Sequence, residues 1–286
     1  MKQSDLNLVM LGILIPLGCL LPGCQTTQPV KQTAELPSAH SVRTDQLLVL
    51  SNFRLQKDHE LIRDLEQLRK QVAQTLKLPM YGEQVVIYLF ENELIYRQYL
   101  AVTHPNLPPR RAYFVGTPQE LAVYTYWGKR IQEDLRHEFT HGLLHSVLRN
   151  VPLWLDEGLA EYFEVPGQEV GTLNTNTVEK LQHVIKNGWK PDIERLESLE
   201  EFSEMQRLDY QEAWGWVHFM LHSSEATRHE LLSYLDELQT KQNPEVLSSR
   251  LKNVLPAFQE RYLAYLTNGL IPGTISLQED FTVGVE

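Results

Sequence analysis

The chain has 286 residues, 42% hydrophobic and 22% charged, which suits one or at most two globular domains and excludes intrinsic disorder. Its formal net charge is -11. No lysine- and arginine-rich run offers a phosphate-binding face, so nucleic acid is not an expected partner.

Residues Leu6 to Leu21 are nearly all apolar and begin close to the N-terminus. The run is too short for a comfortable membrane span and reads as the core of an export signal. It ends in "LLPGC", Cys24 being the last residue. This resembles the lipobox of bacterial lipoproteins, which implies cleavage before Cys24 and acylation there. Gln25 then favours, by the same resemblance, the outer membrane facing the periplasm. Cys19, the other cysteine, would leave with the signal, so no disulfide is expected. From Gln25 to about Arg43 the chain is polar, contains two prolines and lacks an apolar period, as a tether does. The expected organisation is a signal over 1–23, a tether over 24–43 and one domain over 44–286.

Within that domain, Leu61, Ile62, Leu65, Leu68, Val72 and Leu76 recur at three- and four-residue steps. This predicts an amphipathic helix over Asp58 to Leu78, stopped by Pro79. "QVVIYLF" (84–90) is β-branched and aromatic, of strand length. A second helix is expected from Glu91 to Val102, before His104-Pro105. "RAYFVG" and "LAVYTYW" flank "TPQE" as the arms of a hairpin. After Gly128 the pattern is mainly helical to about Leu266. The fold class is α+β, a small mixed sheet with an edge hairpin followed by a mainly α-helical half.

The helix after the hairpin carries "RHEFTHGLLH" (136–145). Side chains four apart share a helix face, so His137 and His141 can aim at one ion. Glu138 lies about 100° round the axis, too far to join them but within reach of a water on that ion. His145 lies roughly 12 Å from His137 along the axis, beyond one ion's reach, and reads as a packing or capping residue. Two ligands are too few for a catalytic zinc, which usually has three and a water. "VPLWLDEGLAEYFE" (151–164) supplies a second helix with Glu157 and Glu161 one turn apart. Glu157 can be the third ligand, and Glu161 can accept the spare ring N–H of a histidine and fix its tautomer. His218 and His222 form a second pair of this spacing without a carboxylate-bearing partner motif, and read as structural.

"HEFTH" followed by "WLDEGLAEYF" resembles the gluzincin metallopeptidases, in particular the peptidase-MA-like domains, with fifteen residues between His141 and Glu157. The resemblance covers about residues 84 to 222 and implies a zincin, thermolysin-like fold. It implies Zn2+ held by His137, His141 and Glu157, with Glu138 as the base. By the same resemblance Tyr210, ahead of an amphipathic helix, would donate to the oxyanion. The hairpin's first arm, with Ala112, Tyr113 and Phe114, would pair with a peptide or protein substrate by strand addition. The segment by which aminopeptidase relatives hold a free amino terminus is missing. The expected activity is that of a lipid-anchored zinc peptidase of the cell envelope. Its rivals are a lipoprotein with a structural zinc and an amidase acting on cell-wall cross-links. Substrate, direction of attack and oligomeric state are open.

Overall fold

β-Branched and aromatic residues dominate the strands that build the centre of the sheet. The computed structural model describes residues 35–44, 47–167, 169–241 and 243–269. The expected signal, Cys24 and the first part of the tether lie outside these residues. Five strands are described: β1 (His40–Arg43), β2 (Leu47–Ser51), β3 (Val85–Phe90), β4 (Ala112–Gly116) and β5 (Leu121–Tyr126). They form one mixed sheet in the order β1-β2-β3-β5-β4, antiparallel at both outer pairs and parallel within. Helix α1 (Glu60–Leu76) connects β2 to β3, and α2 (Glu93–Thr103) follows β3.

Alternation along the central strands divides the core into two faces. Val85, Ile87, Leu89, Leu121 and Val123 share a cluster with α1 and with Phe139 and Leu143 of the next helix. Val86, Tyr88, Phe90, Ala122 and Tyr124 face the other way, against Tyr96, Tyr99 and Leu100 of α2. Each strand therefore lacks a solvent face, which explains its continuous apolar run. Asn92 starts α2 by accepting from the Ile95 N–H, and α1 ends where Lys77 turns left-handed, one residue before "LP".

The rest is helical: α3 (Ile131–His145), α4 (Leu153–Phe163), α5 (Thr175–Lys186), α6 (Ile193–Glu197), α7 (Arg207–His222), α8 (Glu225–Leu238), α9 (Leu247–Val254) and α10 (Phe258–Ala264), which runs on into one π-helical turn. The α+β class and the hairpin with its first arm at the sheet edge are as expected. One boundary differs. β1 occupies the last four residues of the stretch read as a tether, and pairs with β2 from His40↔Ser51 to Arg43↔Leu48. "HSVR" carries one apolar residue, because only Val42 turns to the core, so its strand character comes from the partner strand and not from its own pattern.

Two close approaches set the helices that matter below. A β-carbon at Gly142 would stand 2.8 Å from Val85 Cγ1, and one at Gly158 would stand 2.7 Å from the Ala213 carbonyl oxygen. Glycine thus lets α3 lie directly on β3 and α4 lie directly on α7. Among the described residues no helix is long and apolar enough to cross a membrane.

Candidate metal centre

Helices α3 and α4 bring His137, His141 and Glu157 together. One ligand atom from each lies within 4.8 Å of the other two. His137 Nε2 is 3.4 Å from Glu157 Oε2, and His141 Nε2 is 3.9 Å from Glu157 Oε1. Ligand atoms about 2.1 Å from a tetrahedral ion stand about 3.4 Å apart, so this spacing is that of a coordination shell. Glu157 is 2% exposed, yet its Oε2 has no hydrogen-bond partner among the described residues. A buried, unsatisfied carboxylate oxygen is costly and rare. A cation between the three side chains would satisfy it, and two imidazoles with one carboxylate are a fitting donor set for zinc.

The outer ring nitrogens are also engaged. His137 Nδ1 bonds Glu164 Oε2 at 3.2 Å, whereas His141 Nδ1 lies 3.0 Å from Asp156 Oδ2 as a charge neighbour without hydrogen-bond geometry. These carboxylates favour protons on Nδ1 and so leave the Nε2 lone pairs turned towards Glu157. The orienting role expected of Glu161 therefore falls to Glu164 and Asp156. Glu161 stands beside Glu164 and within 4.8 Å of His137, without a hydrogen bond to either histidine. Glu164, the residue that ends α4, reaches back to the ring where the helix stops. Burial and the neighbouring Glu164 carboxylate push Glu161 up to about 7.

The field is strongly negative. Burial alone would make His137 less basic, but Glu157 and Glu164 overcome it and hold the ring well above the ordinary imidazole range. His141, the more deeply buried of the two, is pushed up to about 9 against that burial by Asp156 and Glu157. Against their own burial, Asp156 is held low by His141 and His145, and Glu157 by His141 and His137. Such a pocket is built to hold positive charge.

Glu138 stands apart from the three, as its helical phase requires. Its Oε2 accepts the Phe114 backbone N–H at 2.7 Å, which ties α3 to the exposed side of β4. Since the Phe114 N–H points away from β5, antiparallel alternation turns the backbone of Ala112 and Gly116 outward too, and that of Tyr113 inward. Of the three residues expected to contact substrate, Ala112 and Phe114 therefore present the open edge, whereas Tyr113 pairs with Tyr124 and packs among the aromatic residues under α2. The Phe114 ring lies 6.1 Å from that of His141 and 5.2 Å from that of His145. His145 bonds Asp156 at 2.9 Å and belongs to neither metal-capable group among the described residues, His137–His141–Glu157 or His137–Glu161–Glu164. Tyr210 is half-buried in the first turn of α7, accepts from Arg110 Nη2 at 3.4 Å, and feels the charges of Glu157 and His137.

Three contributors escaped the sequence reading. Besides Glu164 and Asp156, Arg136 is buried and donates to the Phe163 carbonyl at 2.9 Å, to Asp64 at 2.8 Å and to Gln71 at 3.2 Å. It clamps the end of α4 to α1 and so holds Glu164 beside His137. Its place directly before the first histidine is the one signal that could have drawn notice.

Residues 133–245 match a family model described as a protein of unknown function (DUF1570). The match spans α3, α4 and α7, hence all three candidate ligands, Glu138 and Tyr210, and leaves out the sheet. No curated protein matches the chain.

Proposed function

We propose that this chain is a zinc-dependent peptidase of the gluzincin type with a zincin fold. The observation that carries the reading is the buried Glu157 carboxylate, unsatisfied at Oε2 and faced by the Nε2 atoms of His137 and His141, with Glu138 outside the triad and its charge felt by His137. Zinc, when bound by His137, His141 and Glu157, supplies a Lewis acid and lowers the pKa of water to about 7.

The remaining steps belong to the chain's own groups. Glu138 already spends Oε2 on the Phe114 N–H, so its free Oε1 takes the proton from the attacking water and passes it to the leaving amine. The same hydrogen bond occupies the Phe114 N–H and fixes the carboxylate at the edge where the backbone of Ala112 and the Phe114 carbonyl are offered to an added substrate strand. Asp156 and Glu164 keep the two imidazoles in register. The Tyr210 hydroxyl accepts from Arg110, so its own proton is free to point elsewhere and donates to the carbonyl oxygen as charge develops. A structural zinc would need the three ligands and would have no use for Glu138.

Cleavage of a diverse peptide library tests the reading. Glu138→Gln should keep zinc and fold while losing about 10² to 10⁴ in turnover, the worth of a positioned base. A parent that cleaves nothing, or a Glu138→Gln variant as fast as the parent, removes the peptidase. For the cell-envelope location, mass spectrometry of the mature N-terminus should find an acylated Cys24; an unmodified Cys24 rejects the anchor.

A further inference from the structure

Arg110 and Arg111 are neighbours with different employment. Arg111 donates from Nε and Nη2 to the two Asp134 oxygens at 2.9 and 2.6 Å, a fork-to-carboxylate pair that fastens the start of β4 to the first turn of α3. Arg110 makes no ion pair among the described residues. It is nevertheless held in place. Its carbonyl accepts from the hydroxyl of the buried Tyr96 at 3.2 Å, and its guanidinium carbon lies 5.9 Å from the centre of the Tyr113 ring and 6.0 Å from that of Phe202.

The guanidinium has five N–H donors, and the hydrogen bond it makes within the chain goes from Nη2 to Tyr210. Its side chain is exposed, at the end of the strand edge and beside the tyrosine expected to face the reacting carbonyl. Of the other charged groups argued into this centre, Glu138, Asp156, Glu157, Glu161 and Glu164 are acids, and the one cation, Arg136, is buried and already paired with Asp64. A cation near a metal ion is repelled by it, so Arg110 adds nothing to metal binding. It becomes favourable when an anion arrives beside it. The net charge of -11 would turn acidic peptides away in general, which makes a local cation the means of accepting one.

We propose that Arg110, walled by Tyr113 and Phe202 and bonded to Tyr210, receives a substrate carboxylate close to the bond to be cleaved. The inference rests on the peptidase reading above. The carboxylate is either the free C-terminus of a short peptide or an acidic side chain.

Calorimetry on the full, zinc-loaded chain carrying Glu138→Gln measures binding without turnover. The probes are N-acetylated tetrapeptide pools as free acids against their amides, and amide-capped pools with glutamate against glutamine. One pair should show at least about 10-fold tighter binding of the carboxylate member. The acid–amide pair identifies a C-terminus, and the glutamate–glutamine pair a side chain. Adding Arg110→Gln should abolish the discrimination, and Arg110→Lys should keep part of it, since the ammonium retains charge without the fork. Equal binding within both pairs, discrimination that survives Arg110→Gln, or no binding at all overturns the proposal. If discrimination depends on Arg110 while the parent cleaves no peptide, the carboxylate site stands and the peptidase reading falls. If the parent cleaves peptides while both pairs bind equally, the reverse holds.

Discussion

Two pairs of histidines, each four residues apart on a helix packed into the core, stand in opposite surroundings. His137 and His141 on α3 meet carboxylates at every ring nitrogen. His218 and His222 on α7 meet none among the described residues: His218 bonds the Tyr265 hydroxyl at 2.7 Å and the Gly171 carbonyl at 3.2 Å, and His222 bonds the Tyr162 hydroxyl at 2.8 Å. The first pair is made more basic by its neighbours. In the second, burial pushes His218 down to about 3 and lowers His222 as well. Helical spacing brings two imidazoles to one side; the partners arriving from other helices decide whether a cation is wanted there.

The contrast breaks most sharply on metal content. Zinc should bind at about one ion per chain, as the site's single His2Glu set implies. Replacing His137 and His141 by alanine should remove it, and Glu157→Gln should weaken it severely. His218→Ala with His222→Ala should leave zinc in place and lower stability by about 1–3 kcal/mol for each buried hydrogen-bonded group lost. Elemental analysis and denaturant unfolding on the same preparations check both halves. Full zinc in the His137, His141 double variant would mean that the pairs had been told apart wrongly.

Gly158→Ala sharpens the comparison at a smaller scale. The added carbon meets the Ala213 carbonyl of α7, a backbone atom that cannot swing aside. α4 must shift, at a cost of about 1–3 kcal/mol for overpacking, and Glu157, the preceding residue, shifts with it. Zinc affinity should therefore fall along with stability. The His218 network sits further along α7, and Tyr162–His222 hydrogen bonding should persist. Zinc affinity unchanged from the parent would separate the helix contact from the metal site.

How far these features are legible beforehand depends on whether they are local. The histidine spacing, the glutamate phase and the helix "WLDEGLAEYF" are properties of single helices, so sequence suffices for His137, Glu138 and His141, and for Glu157 once a third ligand is sought. The choice of Glu164 over Glu161 depends on where α4 ends relative to His137, a matter of crossing helices and of Arg136 clamping the Phe163 carbonyl. Strand β3 announces itself by six consecutive apolar residues, whereas β1 is a strand because β2 lies beside it. Tyr113 lies in sequence between two residues of the open edge, but alternation turns its backbone to β5. Arg110 carries no motif at all; it is singled out by having no carboxylate partner among the described residues, a fact that exists only once Arg111 is seen to have taken Asp134.

The last effect concerns pH and isolates the second pair alone. His218 is fully buried and stays neutral in the folded chain down to about pH 3, while in the unfolded chain it takes a proton below about pH 6.5. Between these values the unfolded state binds the extra proton. Stability contributed by the neutral ring is thus complete above pH 6.5 and drains away as pH falls, at no more than about 1.4 kcal/mol per pH unit. Carboxylates elsewhere titrate in the same interval, so the slope of the parent alone is uninformative. His218→Gln keeps hydrogen-bonding capacity towards Tyr265 and Gly171 but cannot be protonated. The difference between parent and variant in urea unfolding, followed from pH 7 to pH 4, should therefore narrow steadily as the pH falls. A parallel pair of curves would mean that the ring is protonated in the folded chain, and that the two histidine pairs differ less than their partners suggest.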